Sequence, residues 1–144
     1  MEDVLNELEA VLDKDLPLVS NLSNASSIIN KIGNTNWCGF YLLKGEYLYL
    51  GPFQGDIACT KIKLGKGMCG NSALKDITIN VKDVNTFPGH IACSSLSKSE
   101  IVIPIHKDNK VIGVLDIDAP IYDRFSKEDE TLLENAVKII EKAL

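Results

Sequence analysis

The stretch EIVIPIHKDNKVIGVLDID, residues 100–118, decides the fold class. Its two arms, residues 100–105 and 110–117, are rich in β-branched side chains, and Lys107-Asp108-Asn109 lies between them. β-branched runs separated by a short polar turn are typical of an antiparallel hairpin. Alternation along the second arm then predicts one shared face for four side chains, those of Ile112, Val114, Asp116 and Asp118.

Outward from this hairpin the chain alternates further strands with helices. Helical spacing of apolar residues predicts helices over residues 4–12 and 18–32, and a final helix begins at Ser126 with Asp129 in capping-box position. Aromatic and β-branched runs predict a second hairpin over residues 37–43 and 47–50, which the run at 51–55 is expected to break. Between the two hairpins the sequence predicts a short strand and a glycine run between 56 and 67, a helix over 69–75, a strand over 77–81 and a long loop over 83–98. We therefore expect an α+β domain with a largely antiparallel sheet of five or six strands.

Length and charge restrict the class of protein. The 144 residues suit one domain, so we expect a single domain over 1–144. A net charge of −5 without a basic face argues against nucleic acid as a partner. The chain has no apolar run of membrane-spanning length, and its acidic start is unlike a signal peptide, which predicts no membrane partner and a cytoplasmic location.

Four cysteines raise the main chemical question. Free cysteines are most often buried hydrophobic residues, and Cys38, inside a predicted strand, fits that interpretation. Cys59, Cys69 and Cys93 lie near loops or element ends, where a redox set is an alternative, and Cys69 at a helix start is expected to favour the thiolate. A zinc site with His90 is a third interpretation, but the gaps between the cysteines do not match the usual ligand spacing.

Three acidic residues form a second constellation. Asp116 and Asp118 share a strand face, and the turn at 107–109 can bring Glu100 to the same end of the sheet. Partly buried carboxylates need a cation or a proton, so a ligand ammonium is a reasonable partner. The alternative is that the strand ends in solvent and the acids are hydrated.

Trp37, Gly39 and Tyr41 share a face of the preceding hairpin. Two aromatic rings over a glycine are often part of a core, but they also make a flat wall for a methyl or sulfonium-like group. Sequence leaves both interpretations open.

Taken together, these motifs resemble the free methionine-(R)-sulfoxide reductases, which are stand-alone GAF-type domains. The resemblance runs from about Leu18 to the final helix, and it joins the three-cysteine spacing to the acid triplet. It is carried by NWCGFY at 36–41, LGPFQG at 50–55, IAC at 57–59, GKGMCG at 65–70, PGHIAC at 88–93, KSEIVIP at 98–104 and GVLDID at 113–118.

The resemblance implies roles for particular residues. Cys93 matches the nucleophile, Cys69 its disulfide partner, and Cys59 an auxiliary resolving cysteine. The residues expected to bind substrate are the acids Glu100, Asp116 and Asp118 and the pocket wall of Trp37 and Tyr41. Cys38 has no counterpart among the redox cysteines. The family fold adds helices on both faces of a six-stranded sheet.

The implied activity is reduction of free L-methionine-(R)-sulfoxide through a sulfenic acid and an intramolecular disulfide. No bound cofactor or metal is expected, because thioredoxin, and ultimately NADPH, would supply the electrons. A homodimer is implied by the family alone. The alternative function is a non-catalytic small-ligand sensor of the GAF type, which needs none of the three cysteines.

Overall fold

The computed structural model describes residues 2–89 and 96–144, without the Glu2 side chain, and within them one sheet of six strands organises the chain. Its helices are α1 (Glu2–Val11), α2 (Leu18–Ile29), α3 (Gly67–Lys75) and α4 (Lys127–Lys142), with 3-10 turns at Asn30–Ile32 and Val84–Thr86. Its strands are β1 (Trp37–Lys44), β2 (Tyr47–Gly55), β3 (Lys61–Lys63), β4 (Ile79–Val81), β5 (Ser99–Lys107) and β6 (Lys110–Ala119).

The strand order in the sheet is β3-β2-β1-β6-β5-β4, and each neighbouring pair is antiparallel. The predicted hairpin of residues 100–118 becomes β5 and β6, and the earlier hairpin becomes β1 and β2. The β1–β6 pairing joins the two hairpins at the centre of the sheet, where both faces of each strand can be covered. The predicted α+β class and antiparallel sheet are confirmed.

Helices cover both faces of the sheet, as the resemblance implied. On one face, α2 and α4 pack on the sheet and α1 packs on these two helices, and their shared core includes Phe40, Leu115 and Ile117, each of them fully buried. On the other face, α3 packs against β5 and β6, and its residues Met68 and Cys69 join a smaller core. This second face, which a single short helix covers, contains the candidate site.

The second strand is longer than the sequence predicted. The run at 51–55 was expected to end the hairpin, but β2 continues through it to Gly55. The β1–β2 register shifts between Gly39 and Tyr41, because Gly39 pairs with Phe53 while Tyr41 pairs with Leu50. The extra residue on β2 is a β-bulge, and a bulge is a place where a strand tolerates Pro52.

A second bulge corrects the predicted face of β6. Ile105 pairs with Gly113 while His106 pairs with Val111, so Ile112 is the extra residue. Ile112 therefore packs with the three-helix face, whereas Val114 belongs to the opposite face. The predicted common face holds for Val114, Asp116 and Asp118 but is wrong for Ile112.

The ends of two helices also bear on the predictions. Helix α3 begins at Gly67, two residues before the predicted start. At the start of α4 the Ser126 side chain accepts from the Asp129 backbone amide and the Asp129 carboxylate accepts from the Ser126 backbone amide, which confirms the capping box.

Within residues 2–89 and 96–144, no helix combines the length and the apolar character needed to cross a membrane.

Candidate active site

The three predicted acids meet at the centre of the sheet. Glu100 on β5 pairs with Asp118 on β6, and Val102 pairs with Asp116. On the other side of β6, Asp118 faces Trp37 of β1. Antiparallel register places all three carboxyls over the face that α3 covers, and none of them lies at a frayed strand end. The interpretation as a hydrated strand end is therefore wrong.

A cavity opens between these acids, helix α3 and the segment after β2. All the predicted acids and both predicted aromatic residues line it. The lining residues are Asn36, Trp37, Tyr41, Asp56, Ile57, Ala58, Ile62, Lys66, Gly67, Met68, Cys69, Leu96, Ser97, Glu100, Asp116 and Asp118.

The acids strongly affect one another because they are buried. Burial first, and then the charges of Asp116 and Asp118, hold the pKa of Glu100 well above its usual 4.5. Burial and Asp116 likewise raise the pKa of Asp118, although hydrogen bonds from Glu100 and Ser97 oppose that increase. The hydrogen bonds between these carboxyls favour a protonated Glu100 that donates and an Asp118 that accepts.

Cys69 lies beside these acids as the third residue of α3. Its thiol is free and only 5% exposed. The helix start was expected to favour a thiolate, but burial and the nearby Asp116, Glu100 and Asp118 raise the pKa of Cys69 well above 9.0. Desolvation and three acids outweigh the helix N-terminus here, so that expectation is corrected.

The same cluster offers a set of donor atoms for a cation. The Cys69 sulfur and one carboxylate oxygen each from Glu100 and Asp116 lie within 4.8 Å of one another. Thiolate and carboxylate ligands can hold a divalent metal ion once they are deprotonated. The zinc set considered from the sequence was different, because it relied on His90 and Cys93, which lie outside the described residues.

The opposite wall of the cavity is a stack of aromatic rings. The Trp37 ring lies 5.8 Å from the Tyr41 ring and 5.2 Å from the Phe53 ring, with stacked planes in both pairs. Gly39 between them has no room for a side chain, since a Cβ there would lie 2.3 Å from the Phe53 Cβ. The aromatic pair is therefore both core and cavity wall.

The remaining cysteines are separated by the sheet. Cys38 is a free thiol, fully buried on the three-helix face. Cys59 is disulfide-bonded and half-buried in the segment between β2 and β3. Cys93 lies outside the described residues, so its predicted role and its predicted pairing with Cys69 stay predictions.

Sequence reasoning assigned no role to Asn36 and Ser97, which also line the cavity. The Asn36 side chain donates to the Ser97 hydroxyl over 3.2 Å, and the Asn36 amide donates to the Asp118 carbonyl over 2.9 Å. The side-chain oxygen Oδ1 of Asn36 and the Oδ1 of Asp118 are buried without a hydrogen-bond partner among the described residues. The available signal was position, since Asn36 directly precedes the Trp37 strand and Ser97 lies in the long loop.

Comparison with known proteins first defines the class. Residues 17–144 match the family model described as GAF domain, which is most of the chain.

Close relatives then define the family. The free methionine-R-sulfoxide reductase of Escherichia coli is 41% identical, over 99% of this chain and 87% of its own length. The reduced form of fRMsr of Staphylococcus aureus is 50% identical with a TM-score of 0.94, over 98% of this chain and 92% of that one. The enzyme of Neisseria meningitidis in complex with its substrate is 41% identical with a TM-score of 0.93, over 99% and 86% of the two chains. The chain belongs to the free methionine-R-sulfoxide reductases, a family of GAF-domain oxidoreductases.

Proposed function

We propose that this protein reduces free L-methionine-(R)-sulfoxide to L-methionine. The observation that carries the proposal is the cavity that joins an aromatic wall to three buried acids and the Cys69 thiol. The Escherichia coli and Neisseria meningitidis relatives, named for the same activity, support it.

The two charged ends of a free amino acid fit the cavity. Buried Oδ1 atoms of Asn36 and Asp118 need donors, which an α-ammonium would supply. The exposed Lys66 and the first amides of α3 line the same cavity and suit an α-carboxylate. A peptide-bound residue lacks the ammonium and would leave the buried acceptors unpaired, so free substrate is preferred.

The side chain of the substrate would lie against Trp37 and Tyr41. Their stacked rings give a flat apolar surface for the methyl group, and the acids give a polar surface for the sulfoxide oxygen. One chiral sulfur can satisfy both surfaces at once in only one configuration. The two surfaces thus favour a single epimer, and the relatives named for the R form indicate that it is the (R) epimer.

The chemical step needs a nucleophile and a proton. The Cys93 thiolate attacks the sulfoxide sulfur, the oxygen passes to the Cys93 sulfur, and methionine leaves, which yields a sulfenic acid. Glu100 supplies the proton to the oxygen, because burial and then the charges of Asp116 and Asp118 raise its pKa and so favour the protonated carboxyl. Cys93 is oxidised as the sulfoxide is reduced.

Two further thiols complete the cycle. Cys69 condenses with the sulfenic acid and releases water, and the Cys59 thiolate then exchanges into the disulfide and releases Cys69 as a thiol. The bonded state of Cys59 and the free, buried state of Cys69 match the end of this sequence, after Cys69 has been released. Thioredoxin, which electrons from NADPH keep reduced, reduces the final disulfide without any bound cofactor.

We also propose that the enzyme works in the cytoplasm and that it is a homodimer. Light scattering would test the homodimer.

The direct test is NADPH consumption with thioredoxin and thioredoxin reductase on each epimer. We expect turnover of the free (R) epimer and none of the (S) epimer. Equal rates on both epimers, or equal rates on the N-acetylated substrate, would falsify the proposal. Binding of the substrate without turnover would instead identify a sensor.

A single-turnover experiment without reductant tests the roles of the cysteines. Cys93→Ser should release no methionine, whereas Cys69→Ser should release about one methionine per subunit and then stall. Cys38→Ser is the matched control, since Cys38 lies on the other face of the sheet, and it should keep full catalysis. A burst from Cys93→Ser but not from Cys69→Ser would reverse the assignment of the nucleophile.

A further inference from the structure

The aromatic wall holds the segment that carries Cys59. The Trp37 indole Nε1–H donates to the Asp56 carbonyl over 3.1 Å, and the Tyr41 hydroxyl donates to the Cys59 carbonyl over 2.8 Å. Asp56 and Cys59 bound a segment of four residues, 56–59, between β2 and β3. Two neighbouring side chains of one strand thus hold both ends of the segment.

Burial is confined to the second half of this segment, where Ala58 and Cys59 pack against the smaller core. Ile57, near its middle, is 92% exposed, and Asp56 is exposed as well. When Cys59 is reduced, the disulfide no longer constrains it. The hydrogen bonds to the two carbonyls then act together with the packing of Ala58 and Cys59 to restrain where its sulfur can lie.

We propose that Tyr41 is a positioning residue for Cys59, acting through the hydrogen bond from its hydroxyl to the Cys59 carbonyl. The inference rests on the proposed function, in which Cys59 enters the final disulfide. It assigns to the hydroxyl of Tyr41 a task separate from that of its ring, which lines the cavity.

The step concerned is a thiol–disulfide exchange. The Cys59 thiolate attacks the Cys93 sulfur, the Cys59–Cys93 bond forms, and the Cys69 sulfur leaves with the electron pair and takes up a proton. No electrons are gained or lost overall. Exchange requires the attacking sulfur to approach in line with the S–S bond that breaks. A fixed Cys59 carbonyl limits the positions that the Cys59 sulfur can occupy, and this favours the required approach.

The Tyr41 hydroxyl suits this role because it stays a donor. Burial, followed by the charge of Asp116, raises the pKa of Tyr41 far above 10.0, so the phenol keeps its proton throughout the working range. Stacking on Trp37 and nearly complete burial also fix its ring.

Tyr41→Phe tests the inference in one pre-reduced turnover with methionine-(R)-sulfoxide. Samples are quenched with an alkylating reagent, and peptide mapping follows the fraction of Cys59 in a disulfide. Loss of one hydrogen bond should slow this appearance roughly tenfold after methionine release. Tyr49→Phe is the matched control, because Tyr49 is exposed on β2 and does not line the cavity.

A second measurement needs no substrate. In the reduced protein, alkylation of Cys59 should be severalfold faster in Tyr41→Phe than in the wild type, because the segment is less restrained. Trp37→Phe, which removes the bond to Asp56, should also speed this labelling and serves if Tyr41→Phe does not fold.

The outcomes separate the two proposals. If the wild type releases no methionine, the proposed function fails, yet the labelling rates still test the position of Cys59. If methionine is released but Cys59 enters its disulfide at the wild-type rate in folded Tyr41→Phe, the inference is overturned. Unchanged labelling in folded Tyr41→Phe overturns it as well, even if labelling in Trp37→Phe is faster.

Discussion

At the scale of single residues, the active site depends on carboxyl groups that lie close together with little access to water. Glu100 and Asp116 are buried, and the nearby Cys69 thiol is surrounded by the same acids. Each added negative charge opposes the others, so the cluster favours bound protons and a cationic ligand. The cost to stability and the benefit to binding therefore come from the same residues.

Substitution of the aspartates separates these two effects. Asp116→Asn and Asp118→Asn should each lower kcat/KM at least about tenfold, because a charged acceptor for the substrate is lost. Both variants should be as stable as the wild type or more stable, since repulsion is relieved. Steady-state kinetics and denaturant unfolding check this, and unchanged kinetics in both variants would remove these residues from the site.

The raised pKa of Glu100 predicts a pH dependence of stability. Its carboxyl binds a proton more tightly in the folded than in the unfolded chain, so its stabilising contribution is complete below about 4.5 and is lost as pH rises through the raised value. Glu100→Gln keeps a neutral side chain at every pH. The difference in unfolding free energy between variant and wild type should thus move in favour of the variant from pH 5 to pH 9. A difference independent of pH would contradict it.

At the scale of elements, the β1–β2 ladder gives the aromatic wall its shape. The register shift after Gly39 brings Phe53 over the glycine, and Phe53 then stacks on Trp37. The aromatic wall therefore needs a residue without a side chain at position 39, because a Cβ there would collide with Phe53.

Gly39→Ala should therefore be strongly destabilising. Its Cβ would meet the Phe53 Cβ at 2.3 Å and the Phe53 Cα at 2.8 Å, and backbone must move to relieve that clash. We expect a loss of about 3 kcal/mol in unfolding free energy. Gly51→Ala is the control, because its closest contact would be 3.1 Å, to the Phe40 carbonyl, and its cost should stay below about 1 kcal/mol. Equal losses in the two variants would rule out the close approach as the cause.

The elements also show what the sequence could and could not predict. The placement of Glu100 at the same end of the sheet as Asp116 and Asp118 was predictable from the short turn at 107–109, although its exact pairing with Asp118 depends on the bulge at Ile112. The face of Ile112 was not, because a bulge inserts one residue and local alternation carries no sign of it. The continuation of β2 through Pro52 was missed for the same reason. The part of Asn36 in the cavity arises from tertiary packing against Ser97, which strand periodicity does not encode.

At the scale of the whole molecule, one side chain ties distant segments together. Arg124 is the only arginine in the chain, and its side chain is 13% exposed. It donates to the carbonyls of Ile32 and Gly33 and pairs with Asp129 at 3.0 Å. The Arg124 guanidinium group thereby links the end of the 3-10 turn that follows α2 to the start of α4.

Arg124→Lys should lower the free energy of unfolding by about 2 kcal/mol. A lysine keeps the charge but cannot donate to two carbonyls and a carboxylate in one plane, which leaves partly buried acceptors unsatisfied. Thermal and denaturant unfolding would measure the loss. Lys31→Gln, which removes an exposed pair with Glu7, is the control and should barely move the midpoint. An Arg124→Lys midpoint equal to that of the wild type would show that charge alone is sufficient.

The two outermost strands of the sheet have a consequence for behaviour in concentrated solution. Both β3 and β4 are only three residues long. The strand β3 begins and ends with the exposed Lys61 and Lys63, and Asn80 of β4 donates to the Phe125 carbonyl and to Glu130 of α4. Edge strands that are short, charged or covered offer another chain little exposed backbone with which to pair. The long, apolar central strands are thereby kept from seeding intermolecular aggregation, even though their sequences alone would favour it.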